Sequence, residues 1–349
     1  MFYADILKIF ILTTVSFMAA IAWTPLLTHF LYKYRLGKRI RSSDQAPVMS
    51  DLHQHKSGTP VMGGLLIWVT TLVLALVFFY LSVIFPETFF SRLNFLTRSQ
   101  TLLPLGALVA SALVGLVDDY LNIKKVGPNG GGLSILHRLT VYTLVAAVGA
   151  WWFFYKLEWD LIRVPFVGNF EIGWWIIPIF IFIIVATAFS VNETDGLDGL
   201  AGGTLLTSFG AFGSLAFLQG RVDLAAFCGV IIGALLAFLW FNINPARFFM
   251  GDTGAMSLGV TLGIVAMLTN TVLLLPIIGF IFVIESLSVI IQIASKKIRK
   301  KRVFWSTPIH HHFEAIGWPE PKIVMRFWVV SGVMAVVGLI IFLMDKGLN

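Results

Sequence analysis

The chain has 349 residues, of which 58% are hydrophobic and only 12% are charged. Soluble domains average about 25% charged residues, so this composition excludes a water-soluble fold and predicts an all-α polytopic membrane protein. The net charge of +7 is spread between apolar runs and forms no soluble basic module, so we expect no nucleic-acid partner. A single cysteine, Cys228, excludes a disulfide framework.

About ten apolar segments are long enough to cross a bilayer, which takes roughly 20 residues each. They are centred near residues 20, 72, 109, 146, 182, 208, 232, 262, 284 and 335. The first is too long for the core of a cleavable signal peptide, and we expect it to be retained. Whole-domain repeats and low-complexity tracts are absent from the sequence. It therefore predicts one integral membrane domain over residues 1–349.

The basic residues are distributed unevenly between the loops. Of the 25 Lys and Arg residues, 18 fall in the loops 33–58, 118–138, 242–254 and 296–326. The positive-inside rule places these four loops, and the short 190–199 loop with them, in the cytoplasm. Both termini are then extracytoplasmic, as ten crossings require.

Two further features concern packing. Segment 157–173 alternates apolar residues and contains a Gly168-Asn169 turn signal, which predicts a short extracytoplasmic β-hairpin. Gly259 and Gly263 have the spacing of a close helix contact, a weak indication of a homodimer.

Carboxylates gather at the cytoplasmic ends of the predicted spans. Charge beside a membrane is costly, so such groups are candidates for function. Carboxylates at a water-facing rim can bind a divalent cation, which in turn can bind a phosphate. The sequence therefore predicts an active site at the cytoplasmic face, built from Asp118, Asp119, Glu193, Asp195, Asp198 and Asp252.

Each acidic motif also has a purely structural interpretation. Asp118 and Asp119 point about 100° apart on a helix and can serve different partners, or they form a solvated helix end. Asp195 and Asp198, at i and i+3, are predicted to share one face among glycines, or to form a structural turn. Asp252 lies between Gly251 and Gly254, which leave its side chain uncrowded for a ligand. Its structural interpretation is the N-cap of the next helix.

Other polar residues lie near these acids in the predicted topology. Lys56 precedes a Gly/Thr turn at a helix start. It suits a bound phosphate there, or it is a positive-inside anchor of the helix at the membrane. His310, His311 and His312 suit hydrogen bonds to phosphate or sugar oxygens better than zinc binding. Glu285 falls inside a span, either protonated or at a helix break. The basic run 296–302 is a membrane anchor that also attracts anionic lipid.

Together these motifs resemble the bacterial phospho-N-acetylmuramoyl-pentapeptide-transferase family, within the polyprenyl-phosphate sugar-1-phosphate transferases. The resemblance covers essentially the whole chain and is most specific at the three histidines. It runs through Lys56, Asp118-Asp119, 192–198, 242–252, 285–292, 308–314 and 317–321.

The resemblance implies a bacterial inner-membrane enzyme of peptidoglycan synthesis. It would transfer phospho-MurNAc-pentapeptide from UDP-MurNAc-pentapeptide to undecaprenyl phosphate, with Mg²⁺, giving lipid I and UMP. Catalytic roles are implied for Asp118, Asp119, Asp252 and His311, with Asp252 as the metal ligand. Substrate contacts are implied for Lys56, Asn192, Asp195, Asp198, Asn242, Phe249, Gly251, Gln292, His310 and His312.

The chain departs from the family pattern at two positions. Asn122 stands where a lysine is usual, and Val61 where a threonine is common, which concerns the nucleotide contacts and not the reaction. Two alternatives stay open: an ion-coupled transporter, and a transferase of GlcNAc-1-phosphate. The sequence also leaves open whether transfer is direct or passes through an aspartyl-phosphate.

Overall fold

The computed structural model describes residues 2–37, 56, 58–128 and 131–347. Most of the predicted 33–58 loop lies outside the described residues, as do Ser57, beside Lys56, and Asn129-Gly130 of the 118–138 loop. Within the described residues the chain is mostly helical, with one two-stranded sheet.

Thirteen α-helices follow one another along the described part of the chain. They are α1 (Phe2–Lys33), α2 (Leu65–Ile84), α3 (Phe89–Arg92), α4 (Leu102–Lys124), α5 (Ile135–Trp151), α6 (Ile176–Thr194), α7 (Leu200–Leu218), α8 (Val222–Asn242), α9 (Gly251–Leu268), α10 (Leu275–Ile278), α11 (Phe280–Ile298), α12 (Ile309–Ala315) and α13 (Glu320–Gly347).

Eight of these helices are long and apolar enough to cross a membrane: α1, α2, α4, α6, α7, α8, α9 and α13. The segments Val272–Ile278 and Phe280–Ile298, bent by 81° where they meet, give a ninth crossing if they form one span. The crossing predicted near residue 146 corresponds to α5, whose 17 residues are slightly short of a full span. A π-helical segment, Trp152–Lys156, continues it. The polytopic helical fold is confirmed, and the spans identified by length and composition number eight or nine.

Helix α9 is the most buried of the candidate membrane spans, with 94% of its residues buried. It packs between α4 and α6, and its glycines allow a close approach. A Cβ atom at Gly259 would lie 2.7 Å from the Ala188 Cα atom, and one at Gly263 would lie 2.6 Å from the Thr187 hydroxyl oxygen. Both glycines are therefore covered by α6 of the same chain, and the interpretation of this pair as a dimer face is wrong.

The predicted hairpin forms, but its turn lies elsewhere. Strands β1 (Leu161–Val164) and β2 (Gly168–Glu171) pair antiparallel, and Gly168 is the partner of Val164. The connection is therefore 165–167, where Phe166 adopts a left-handed φ of 64°. Gly168 and Asn169 belong to β2 and not to the turn, because three connecting residues bring the strands into register here.

The hairpin packs against the ends of two long helices. The Arg163 Nε atom lies 2.6 Å from Asp345 Oδ2, near the C-terminal end of α13. The backbone N–H of Arg163 donates to the side chain of Asn270 (2.9 Å), just after α9. The hairpin therefore lies at the end of α9 opposite to Asp252, which is near the start of that helix.

Candidate active site

Helix α9 begins at Gly251, and Asp119 of α4 supplies acceptors for its first N–H groups. Asp119 Oδ1 accepts from the backbone of Asp252 and Oδ2 accepts from Thr253, both at 3.0 Å. The first N–H groups of a helix have no intrahelical partner, and a negative charge there also meets the positive end of the helix dipole. Asp119 thus fixes the helix end that carries Asp252. Asp252 itself is the second helical residue and not the N-cap considered from the sequence.

Two glycines make this contact possible. Gly251 has a left-handed φ of 73°, and a Cβ atom there would lie 2.6 Å from Asp119 Oδ2. A Cβ atom at Gly115, one turn before Asp119 on α4, would clash with the backbone of Asp252. The α4 carboxylate reaches the α9 backbone because neither position has a side chain.

Arg138, in the first turns of α5, joins three of the predicted site residues. Its Nε atom lies 2.8 Å from Asp118 Oδ2, and its Nη2 atom lies 2.9 Å from Asp252 Oδ2. Its Nη1 group donates to the amide oxygen of Asn192 (3.2 Å), and Asn192 Nδ2 donates to Asp252 Oδ1 (2.6 Å). We call Asp118, Arg138, Asn192 and Asp252 the acid–arginine cluster.

Asp118 is fully buried in this cluster. Its Oδ1 atom accepts from the backbone of Leu133 (2.5 Å), and its carboxyl group is within hydrogen-bonding reach of Asp252. Asp118 therefore faces the cluster while Asp119 faces the start of α9. The two adjacent acids therefore contact different groups, as their angular separation on a helix requires.

The donor chemistry of the acid–arginine cluster fits a hard divalent cation. Carboxylate oxygens of Asp118 and Asp252 and the amide oxygen of Asn192 converge on one guanidinium. Among the described residues, no group of three or more His, Cys, Asp or Glu side chains forms a complete metal site. Two carboxylates with further oxygens from phosphate and water are the usual ligand set for Mg²⁺ on nucleotides.

A second group of charges is centred on Lys56, and we call it the lysine cluster. The Lys56 Nζ atom lies 2.7 Å from Asp198 Oδ1 and 2.5 Å from Glu320 Oε1. Asp198 Oδ2 accepts from the amide of Asn244 (3.1 Å) and the backbone of Ala246 (3.0 Å). These contacts tie the start of α7, the start of α13 and the α8–α9 loop together.

Asp195 and Asp198 do not share a face. Helix α6 ends at Thr194, so the i, i+3 helical geometry expected of the two acids does not apply. Asp195 Oδ2 accepts from the backbone N–H of Gly251 (3.2 Å), toward the acid–arginine cluster, whereas Asp198 belongs to the lysine cluster. The α6–α7 loop therefore links the two clusters.

Asn242 and Phe249 lie where the α8–α9 loop passes this site. The amide of Asn242 accepts from the backbone of Gly199 (3.0 Å) and donates to the Phe248 carbonyl (2.9 Å), so it holds two loops together. Phe249 is half-buried, and its ring centroid lies 5.9 Å from the Lys56 Nζ atom. Asn242 is thus used internally, while the Phe249 ring lies beside the lysine cluster.

Gln292 and His312 both hold the loop that follows α11. The Gln292 amide oxygen accepts from the backbones of Val303 (3.0 Å) and Phe304 (3.1 Å), and its Nε2 donates to the Phe304 carbonyl (2.9 Å). His312 Nδ1 accepts from the backbone of Trp305 (3.3 Å). These contacts shape the loop leading into α12.

The other two histidines are buried and each has an acidic partner. His310 Nδ1 lies 2.9 Å from Glu285 Oε2 on α11, and His311 Nδ1 lies 2.6 Å from Glu314 Oε2 one turn further along α12. The His310 ring also packs on the α6–α7 loop, where a Cβ atom at Gly196 would clash with it. Motif 308–314 is thereby docked onto the loop that carries Asp195 and Asp198.

Arg138, Glu320 and Asn244 were not singled out from the sequence as site residues. Arg138 looked like one more cytoplasmic loop cation, and only the fold brings it between Asp118 and Asp252. Glu320 lies in the 317–321 motif, but that motif gave no hint of its pairing with Lys56. A basic residue within the first turns of an apolar helix was the available signal for Arg138.

The chain is similar to a family of known transferases. Residues 101–270 match the model of glycosyl transferase family 4. The chain is 39% identical, over 96% of its length and 89% of the relative's, to a phospho-N-acetylmuramoyl-pentapeptide-transferase of Chloroflexus aggregans. It is 41% identical to the enzyme of that name from Bacillus anthracis, over 94% of this chain and 95% of the relative. A third relative with this name, from Geobacillus thermodenitrificans, is 38% identical over 95% of this chain. The chain therefore belongs to the phospho-N-acetylmuramoyl-pentapeptide-transferase family.

Proposed function

We propose that this chain transfers phospho-MurNAc-pentapeptide from UDP-MurNAc-pentapeptide to undecaprenyl phosphate, giving lipid I and UMP. The name shared by its full-length relatives supports this reaction. The observation that carries the proposal is the acid–arginine cluster, where Asp118, Asn192 and Asp252 converge on Arg138 at the start of a buried helix. Such an arrangement suits a diphosphate and a divalent cation.

The proposed setting is the bacterial inner membrane, with the active site on the cytoplasmic face. Helix α5 starts beside the acids and leads through 152–156 to the hairpin at the other end, which supports ten crossings. Both termini then lie with the hairpin on the extracytoplasmic side. A soluble sugar nucleotide and a lipid phosphate can meet only at such a rim.

The basic run 296–302 supports a membrane lipid as a further partner. Its six Lys and Arg side chains are exposed and lie at the end of α11 and just after it, and the same helix carries exposed Ile290, Ile293 and Ile298. Cations placed beside lipid-facing apolar residues attract the anionic headgroups of the cytoplasmic leaflet.

Asp252 would hold Mg²⁺, with the carboxylate of Asp118 and the amide oxygen of Asn192 adjacent. When bound, the ion supplies Lewis-acid neutralisation of the diphosphate charge. Asp119 keeps the start of α9 in place, so that the side chain of Asp252 is held where it can face the diphosphate. The guanidinium of Arg138 has a fork geometry that can exchange a carboxylate for a phosphate oxygen.

In the proposed reaction, an oxygen of the lipid phosphate attacks the β-phosphorus of the sugar nucleotide. A new P–O bond forms there, the bond to the bridging oxygen breaks, and UMP leaves with that oxygen and its electron pair. Asp118 orients the lipid phosphate, because it faces both Arg138 and Asp252. Phosphoryl transfer needs mainly positioning and charge neutralisation, which these groups provide.

The remaining predicted residues would line the donor site around the two clusters. Phe249 offers a ring beside Lys56, and the loop that carries Asp195 and Asp198 lies between the clusters. Asn242, Gly251, Gln292 and His312 would act by shaping the loops that surround the donor. His310 approaches the α6–α7 loop from α12, and His311 is the next residue on that helix.

The test is UMP release by purified protein in detergent with undecaprenyl phosphate and Mg²⁺. UDP-MurNAc-pentapeptide should yield UMP, and UDP-GlcNAc should yield none. Turnover with UDP-GlcNAc alone would make the chain a GlcNAc-1-phosphate transferase. Substrate-dependent flux into sealed vesicles without UMP would make it a transporter. An Asp223→Asn variant, altered at the opposite end of the helices, should retain turnover.

A further inference from the structure

Glu285 is a buried carboxylate on α11 that the proposed chemistry leaves without a task. It is fully buried, and so is its partner His310. Its Oε2 atom lies 2.9 Å from His310 Nδ1 and also faces the backbone N–H of His310. A charge buried in a spanning helix is costly, and such residues are usually paired and functional. The pair links α11 to the α12 segment across the loop between them.

The contact with Glu285 determines which nitrogen of His310 is left for a ligand. Because the carboxylate accepts at Nδ1, that atom carries hydrogen, and Nε2 is the remaining ring nitrogen. Nε2 is buried and has no hydrogen-bond partner among the described residues. Buried polar atoms in native structures are nearly always partnered, so this one indicates a ligand.

His310 Nε2 points at the α6–α7 loop. Gly196 is the residue it meets, and a Cβ atom there would clash with Nε2 itself. Asp195, the next residue back, accepts from Gly251 beside the acid–arginine cluster, and Asp198 binds Lys56. The loop that Nε2 contacts is therefore the one that links the two clusters.

Electrostatics favours a donor at this position. Burial alone lowers the pKa of His310, but the charge and hydrogen bond of Glu285 outweigh it, with smaller contributions from Glu314 and Glu193, and the pKa is raised. A protonated ring donates from Nε2, and the ligand it suits is an anionic or hydroxyl oxygen.

We propose that Glu285 is a positioning residue that holds the His310 ring so that Nε2 donates to a phosphate or sugar oxygen of the bound sugar nucleotide. The proposal rests on the proposed function for the identity of that nucleotide. It assigns Glu285 no direct contact with substrate. Its effect must pass through His310, and this makes the proposal testable.

The experiment is a double-mutant cycle in full-length protein, with Glu285→Gln, His310→Ala and the double variant. Each single variant should raise KM for UDP-MurNAc-pentapeptide about 10- to 100-fold, the usual effect of losing one hydrogen bond to a charged group. KM for undecaprenyl phosphate should stay unchanged. The double variant should be no worse than His310→Ala, because residues that act as one unit are not additive.

Ser286→Ala is the matched control, since Ser286 lies on the same helix and bonds to Ser190 (2.8 Å) away from His310. Glu285→Asp, which keeps the charge, should partly restore KM, and thermal unfolding of every variant checks its fold. Additive losses, or a Glu285→Gln variant with the KM of wild type, would overturn the positioning role. Wild-type protein without UMP release would instead overturn the proposed function.

Discussion

Asp119 caps the helix that carries Asp252, with both of its carboxylate oxygens on the first N–H groups of that helix. Of the two adjacent acids, only Asp118 faces the guanidinium of Arg138. Asp119 thus acts on the position of Asp252, and this contact gives it a structural task without direct chemistry on the substrate. The two carboxylates of this motif have separable tasks.

Replacement of Asp119 by alanine should destabilise the protein and weaken its response to Mg²⁺. The start of α9 loses its acceptors, and loss of a helix cap typically costs about 1–2 kcal/mol. Thermal unfolding and a Mg²⁺ titration of UMP release measure the two effects. Asp119→Asn keeps one acceptor oxygen and should fall between wild type and alanine. Loss of all activity in Asp119→Ala with unchanged stability would contradict the capping role.

Asp252→Asn should abolish transfer and leave the protein folded. The substitution retains a hydrogen-bonding group opposite Asn192 and Arg138, but it removes the charge that would hold the cation. UMP release across a Mg²⁺ series measures the effect. Asp223→Asn, which breaks an ion pair with Lys8 at the other end of the helices, controls for general loss of charge. Full turnover by Asp252→Asn would remove its metal role.

The helical membrane fold could be predicted because the length of each membrane-spanning helix can be read from its run of apolar residues. Each crossing of the bilayer takes about 20 apolar residues, so counting them locates the ends of the helices. Those ends place Asp118, Asn192 and Asp252 at the same side of the membrane. Two details were not predictable this way. Helix α5 is only 17 residues long before a π-helical segment continues it. The hairpin turn was predicted at Gly168-Asn169 and lies at 165–167.

The pairing within the site could not be predicted from the sequence. The Asp119–Asp252 contact joins residues 133 positions apart, and no local pattern encodes such a contact. The prediction that Asp195 and Asp198 share one face assumed that both lie on a helix. In the structure the helix ends before them, at Thr194. Gln292 was expected to contact substrate. In the structure both the oxygen and the nitrogen of its amide bond to the backbone of residues 303–304, and the sequence alone does not indicate this contact.

Lys56→Met should destabilise the protein strongly. It leaves the nearly buried carboxylates of Asp198 and Glu320 together without their cation, and breaking a buried pair from one side costs roughly 3–5 kcal/mol. Thermal unfolding measures the loss. Lys8→Met breaks the more exposed pair with Asp223 and should cost less while sparing turnover. Equal unfolding temperatures for Lys56→Met and wild type would refute a stabilising lysine cluster.

His311→Ala should lose activity to the same extent at every zinc concentration. His311 Nδ1 is engaged by Glu314, and adjacent histidines on one short helix do not converge on one ion. UMP release with added zinc and with a zinc chelator measures this directly. Glu314→Gln, which keeps a hydrogen-bond acceptor for His311, should retain more activity. Rescue of His311→Ala by zinc would show a metal site instead.

Tyr142→Phe should leave the unfolding temperature equal to or above that of wild type. Tyr142 is only 2% exposed, and its hydroxyl has no hydrogen-bond partner among the described residues although Asp252 and Arg138 lie within electrostatic range. A buried polar atom without a partner is unfavourable, so its removal costs nothing in the unliganded protein. Tyr142→Ala is the contrasting variant, because emptying the space of a buried ring should cost about 3–5 kcal/mol. If Tyr142→Phe unfolds at a clearly lower temperature, the hydroxyl contributes a stabilising bond, and the acid–arginine cluster extends one helical turn further along α5.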